Sequence, residues 1–170
     1  MPVNNMVLFP SKEWLEEYCK MLNRSKEYKK AGKGWGVGWN GDFIYQIENI
    51  PIDKISIEDL PADLAKELKE YVIKGTSYSY IQLKDGECKG TSLLKDPKEV
   101  EAGFIMKGPY ENWKKMTKGE IDAIRGLLTR EFKLEGNMAQ VMRYTRAASI
   151  MVNISSSIKS EFIDEAYAKK

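Results

Sequence analysis

Glu131-Phe132-Lys133-Leu134-Glu135-Gly136-Asn137, with the helical patterns on either side of it, decides the fold. Phe132 and Leu134 point one way and the charges of Glu131, Lys133 and Glu135 the other, the alternation of a strand with one wet face, which predicts an antiparallel sheet. Upstream, Pro109 suits the first turn of a helix carrying Tyr110, Trp113 and Met116, and Gly119 ends it. Glu120 to Arg130 then holds Ile121, Ile124, Leu127 and Leu128 at helical spacing. Downstream, Asn137 caps a helix predicted from Met138 to about Ile154. Its main stripe is Met138, Val141, Met142, Thr145, Ala148 and Val152, and Ala147, Ile150, Met151 and Ile154 widen it until most of the helix must be buried.

The rest of the chain reads as helices and hairpins. Ser11 is an N-cap for a first helix reaching to about Lys30, with Trp14, Leu15, Tyr18, Cys19 and Leu22 on one stripe. Gly36-x-Gly38-x-x-Gly41 matches a dinucleotide-binding pattern by letter, but Asp42 to Ile47 behind it is aromatic and β-branched. Phosphate binding needs a helix N-terminus there, so Asn40-Gly41 is read as the turn of a hairpin spanning Trp35 to Ile47. Pro61 opens a helix with Leu64, Leu68, Tyr71 and Val72 on one face, ended by Gly75. Thr76 to Lys84, the Asp85-Gly86 turn and Glu87 to Leu94 make a second hairpin. Glu101 to Lys107 is another strand, with Ala102, Phe104 and Met106 on one side. Ser155-Ser156-Ser157 reads as a hinge and Ile158 to Lys170 as a weak terminal helix. The sum is one α+β domain over residues 1–170, a single antiparallel five-stranded sheet with helices packed on one face.

Composition narrows the chemistry. The chain has no histidine, which removes Ser–His and Cys–His nucleophiles, imidazole acid–base catalysis and histidine metal ligation. No carboxylate cluster points to an active site, and no metal or other cofactor is implied. A net charge of +2 offers no field for nucleic acid. Cys19 and Cys88 lack C-x-x-C spacing and are expected to be buried, reduced thiols. Met1 to Pro10 lacks the pattern of a signal peptide, and no window has the length of a membrane span, so a cytoplasmic protein is expected.

Trp113, Gly119-Glu120-x-Asp122-Ala123, the Leu-rich turn and Phe132-Lys133-Leu134-x-Gly136-Asn137 resemble the C-terminal half of the sterol carrier protein-2 lipid-binding domain. Trp14, Leu22-Asn23-x-Ser25-x-x-Tyr28, the Trp-containing hairpin and the Leu83-x-Asp85-Gly86 turn follow the same family's order. The resemblance implies a five-stranded sheet covered by helices that enclose an apolar tunnel for sterols, fatty acids, acyl-CoA esters or phospholipids, in a domain without chemistry of its own. Against that family, residues 51–75 stand as an extra segment. Ala168-Lys169-Lys170 is not the peroxisomal tripeptide of some relatives, which favours a microbial-type carrier.

The residues themselves give the same expectation a physical form. A lipid cavity needs apolar walls that adapt, and methionine supplies them. The candidate wall is Phe104 and Met106 on one strand, Trp113 and Met116 on one helix, Ile121, Ile124, Leu127 and Leu128 on the next, Phe132 and Leu134 on the last strand, and Met138, Val141, Met142 and Met151 on the long helix. Arg143 and Arg146 are the candidates for holding a head group at the mouth. The expected partner is a hydrophobic small molecule, with transient membrane contact and a homodimer both compatible with the sequence. The competing readings are an accessory or catalytic subunit acting on a lipid-like substrate, and a protein-interaction domain whose core is filled.

Overall fold

The computed structural model describes residues 6–170. Residues 1–5, the first part of the stretch in which no signal peptide is read, lie outside them. The chain runs β1 (Val7–Phe9), α1 (Lys12–Arg24), α2 (Lys26–Ala31), β2 (Phe43–Glu48), α3 (Ala62–Tyr71), β3 (Ser77–Lys84), β4 (Glu87–Leu94) and β5 (Phe104–Pro109). It continues through α4 (Tyr110–Thr117), α5 (Ala123–Leu128), β6 (Lys133–Glu135), α6 (Met138–Met142), α7 (Thr145–Ser157), β7 (Ser160–Phe162) and α8 (Ile163–Ala166).

Five strands form one sheet in the order β4-β3-β2-β5-β6, but the sheet is mixed, because β2 and β5 run parallel. The expectation of a wholly antiparallel sheet is therefore corrected. Alternation reports which face is wet, whereas strand direction depends on the connections. Here the segment after β4, tightened by an Asp96–Glu99 capping box, carries the chain past β3 and β2 before β5 begins. The β3–β4 hairpin forms as read, with Asp85 at φ 53° and Gly86 at φ 78° supplying the left-handed turn. The hairpin expected at Asn40-Gly41 does not form. Residues before Asp42 are a run of turns, and the indole N–H of Trp35 donates to Gly41 O at 2.8 Å to close it. With β2 following, the glycine motif has no helix to present to a phosphate.

Pairing registers place Phe43, Tyr45 and Ile47 of β2 beside Phe104, Met106 and Gly108 of β5 and opposite Ile81, Ser79 and Ser77 of β3. This face of the sheet is the one the helices cover. Helix α1 starts where the sequence places it, the Ser11 side chain accepting from Trp14 N, but a second cap at Ser25 splits off α2. α1 lies against β4, where Asn23 clamps one peptide unit: its Nδ2 donates to Cys88 O at 2.9 Å and its Oδ1 accepts from Cys88 N at 2.8 Å. The same contact joins Cys19 to Cys88 as a disulfide, with Cα atoms 5.4 Å apart. The expectation of two free thiols is thereby overturned. The residues lie 69 apart in sequence, and only the docking of α1 on the helix-facing side of β4 brings them within bonding range.

The long apolar helix is broken in two. Arg143 caps α6, and Tyr144 turns inward to meet the Trp35 ring edge-on at 5.1 Å before α7 begins. Ser155–Ser157 are not a hinge but the last turn of α7.

The C-terminal segment is fastened rather than loose. β7 pairs in parallel with β1, and the chain after α8 bridges Ile55, with Ser56 N donating to Tyr167 O at 2.7 Å. Beneath, Asp164 accepts from the Tyr110 hydroxyl at 2.6 Å and from Lys114 Nζ at 2.9 Å, and Lys114 also pairs with Glu165. Desolvation by itself lifts the Asp164 carboxyl, but the hydrogen bonds from Tyr110 and Lys114 outweigh it and hold its pKa below the usual value. Desolvation likewise opposes the charge on Lys114, and its bonds to Glu165 and Asp164 reverse that and raise it. Asp164→Asn is expected to cost about 2 kcal/mol at neutral pH, read from urea unfolding. Because the folded carboxyl is depressed, its contribution is complete above the unfolded aspartate value of about 3.9 and disappears as pH falls through the lower folded value. The two proteins should therefore converge in acid, and a gap that stays constant there would refute the latch.

Candidate functional site

Between the covered sheet face and the helices lies a cavity of about 100 Å³. Its floor is Phe43, Tyr45 and Ile47 of β2, Ser79 of β3 and Met106 of β5. Trp14, Leu15 and Tyr18 of α1 close one side, Trp113, Met116 and Thr117 of α4 another. Ala123, Ile124 and Leu127 of α5, Val141 of α6, and Ala148, Met151, Val152 and Ser155 of α7 complete the roof. Every lining side chain is uncharged. A smaller cavity of about 50 Å³, bounded by Tyr28, Trp35, Leu83 and Tyr144, adjoins it, and Phe43, Val141, Ala148 and Met151 belong to the walls of both.

Seven of the fourteen residues named from sequence for the wall line this cavity. Met106, Trp113, Met116, Ile124, Leu127, Val141 and Met151 line the main cavity. Phe104 and Phe132 are buried but are packed as core. Phe104 stacks on Phe43 at 5.0 Å, and a side chain on Gly136 would collide with its ring. Phe132 is gripped between Gly108 and Gly126, where an added Cβ would lie 2.5 and 2.8 Å from its ring, and its other neighbour is Trp113 at 4.9 Å. Ile121, Leu134 and Met138 are half-buried against the core outside the cavity. Leu128 and Met142 face solvent, 64% and 40% exposed. Each follows a residue that points inward, Leu127 and Val141, and one step along a helix turns the side chain by about 100°.

Arg143 and Arg146 do not meet the cavity. Both are exposed, and Arg146 edges an open surface hollow with Glu27, Thr145, Ser149 and Asn153. Much of the observed wall lies outside the predicted set: Phe9, Trp14, Leu15, Tyr18, Phe43, Tyr45 and Ile47 all come from the first 50 residues. The available signal is the aromatic stripe of α1 and the aromatic alternation of β2, which a core would display equally well.

The polar side-chain groups of the lining are the phenols of Tyr18 and Tyr45, the hydroxyls of Ser11, Ser79, Thr117 and Ser155, and the indole N–H groups of Trp14 and Trp113. The Tyr18 hydroxyl donates to Met151 O at 3.3 Å. Burial, then the neighbouring phenols of Tyr45 and Tyr28, push the Tyr18 pKa well above the ordinary phenol value. Burial and then Tyr28 raise Tyr45 too, and burial lifts Tyr28 to about 12. These phenols are neutral donors across the whole working pH range. The three buried indoles are satisfied by protein: Trp113 Nε1 donates to Gln46 O and Gly108 O, both at 3.1 Å, Trp14 Nε1 to Ser160 Oγ at 2.9 Å, and Trp35 to Gly41 O.

Comparison with solved structures finds the same fold. A crystal structure of sterol carrier protein 2 is 21% identical, with 87% of this chain and 97% of that one aligned at a TM-score of 0.63. The solution structure of a conserved hypothetical protein, possibly a sterol carrier protein, from Thermus thermophilus is 22% identical, with 94% of each chain aligned at 0.68. Sterol carrier protein 2 from Yarrowia lipolytica, in its apo form, is 15% identical over 92% of this chain and 97% of that one, at 0.50. The sequence has no match among curated proteins. The model of the SCP-2 sterol transfer family matches residues 54–149, 96 of the 170, a span that holds α3, the β3–β4 hairpin, β5, α4, α5, β6, α6 and the start of α7. The chain belongs to the SCP-2 sterol transfer family.

Proposed function

We propose that this protein binds a hydrophobic ligand (a fatty acid, acyl-CoA ester, phospholipid or sterol-like lipid) in the cavity between sheet and helices, and carries it without acting on it chemically. The observation that carries this reading is the charge-free apolar wall drawn from β2, β5, α1, α4, α5 and α7. Family membership supports lipid binding as the class of function. Burial of an acyl chain contributes about 0.8 kcal/mol per methylene, so affinity needs little help from polar groups.

The cavity is smaller than an engineered one of about 150 Å³ that takes up benzene, so a long chain enters only if the walls yield. Met106, Met116 and Met151 border the space, and their flexible side chains can reshape it at low cost. Rotation of Met151 would open the smaller cavity into the larger one. Native mass spectrometry of the purified chain is expected to show a co-purifying lipid. Ligand at about 100 times its dissociation constant should raise stability by about 2.7 kcal/mol, measured as a shift in melting temperature. A chain that stays empty and melts unchanged with every lipid class would defeat the proposal.

A further inference from the structure

Two of the hydroxyl groups in the lining are phenols, which both donate and accept hydrogen bonds. Tyr18 enters from α1 and Tyr45 from β2, so two phenols meet from opposite walls. Their hydroxyls lie close enough that each perturbs the titration of the other. Ser79 stands directly across from Tyr45 in the β2–β3 register, on the same face and also in the lining. The bond the Tyr18 hydroxyl makes to the backbone, to Met151 O, is long at 3.3 Å. Both tyrosines precede Lys54, where the family match begins.

We propose that the cavity selects uncharged amphiphiles, seating a single hydroxyl or carbonyl oxygen against the Tyr18–Tyr45 pair and leaving carboxylates and phosphates to bind poorly. This rests on the lipid-cavity reading above and narrows it. A buried hydroxyl is satisfied by one or two hydrogen bonds, and a phenol both donates and accepts. A buried carboxylate needs a cation or a full set of donors. Among the described residues no cation lines this cavity, and Arg143 and Arg146 are turned to solvent elsewhere. The tyrosines stay protonated because burial disfavours the phenolate, so no charge arises from the wall to meet one on the ligand.

The test compares 1-dodecanol, dodecanoate and dodecane on the full chain at pH 8, read by the fluorescence of Trp14 and Trp113, which line the cavity. Dodecanol should bind about tenfold or more tighter than dodecanoate, a difference the penalty for burying an unpaired charge readily supplies. Tyr45→Phe, which keeps the Tyr18–Met151 bond, should weaken dodecanol binding by about a factor of ten, and Tyr18→Phe/Tyr45→Phe should weaken it further, while circular dichroism shows each variant folded. Dodecanoate binding as tightly as dodecanol, or a dodecanol affinity that both substitutions leave unchanged, overturns this proposal alone. Failure of all three probes overturns the cavity reading with it.

Discussion

Removing the disulfide with Cys19→Ala and Cys88→Ala should lower stability by about 4 kcal/mol, the chain-entropy value for a loop of this length. The link joins residues 69 apart, with α1, α2, β2, α3 and β3 in or bordering the loop. Without it the unfolded chain regains the freedom of that whole segment, while the folded state loses little. The Asn23 clamp still fixes α1 to β4 at Cys88, and Tyr18 and Leu22 remain buried beneath the helix. The effect is large against a total domain stability of about 5–15 kcal/mol. Urea unfolding of the two single variants, the double variant and the unsubstituted chain under dithiothreitol should give four matching midpoints, all below that of the oxidised protein. If reduction leaves the midpoint of the unsubstituted chain where it was, the bond contributes nothing and the account fails. Lipid binding should survive, because neither cysteine lines the cavity.

That bond marks where sequence reading stops. Features written in neighbouring residues are legible: the Ser11 cap, the Asp85-Gly86 turn and the Pro109 start of α4. The false dinucleotide motif is also legible, since the residues after Gly41 cannot make a helix. Features that depend on which distant segments meet are not. The parallel pairing of β2 with β5 and the β1–β7 pairing join residues whose local patterns are silent about their partners. The Cys19–Cys88 contact requires α1 to sit on β4, which no spacing encodes.

The candidate site divides along the same line. Helical periodicity separates inside from outside only to within about one residue, or 100° of rotation, so Leu127 and Leu128, or Val141 and Met142, read alike while the structure turns one of each pair away. Phe132 departs from the cavity for a different reason: its role is set by Gly108 and Gly126, both upstream, which let the backbone close on its ring. The arginines miss the site because α6 is only five residues long and ends at Arg143. Arg146 lies in the first turn of α7, on a face turned to solvent.

These placements make the functional reading testable by obstruction. Ala148 lies on α7 where both cavities share a wall, and it is only half-buried although its neighbours Ala147 and Ile150 are buried. Ala148→Phe would project a ring into the junction between them. Excluding three or four ligand methylenes at about 0.8 kcal/mol each removes about 3 kcal/mol of binding, or roughly a hundredfold in affinity. The same ring fills space that the folded chain leaves open, so its cost to stability should stay within about 1–3 kcal/mol. Leu128→Trp and Met142→Trp, which sequence alone would choose as obstructions, should leave affinity within about twofold, since both side chains already face solvent. Titration of a fluorescent acyl probe into the three folded variants, with circular dichroism to check the fold, separates the outcomes. Loss of binding in Ala148→Phe alone places the ligand between the sheet and α7. Loss in Leu128→Trp or Met142→Trp with binding intact in Ala148→Phe would move the site to the outer surface of α5 and α6 and remove the cavity from the function altogether.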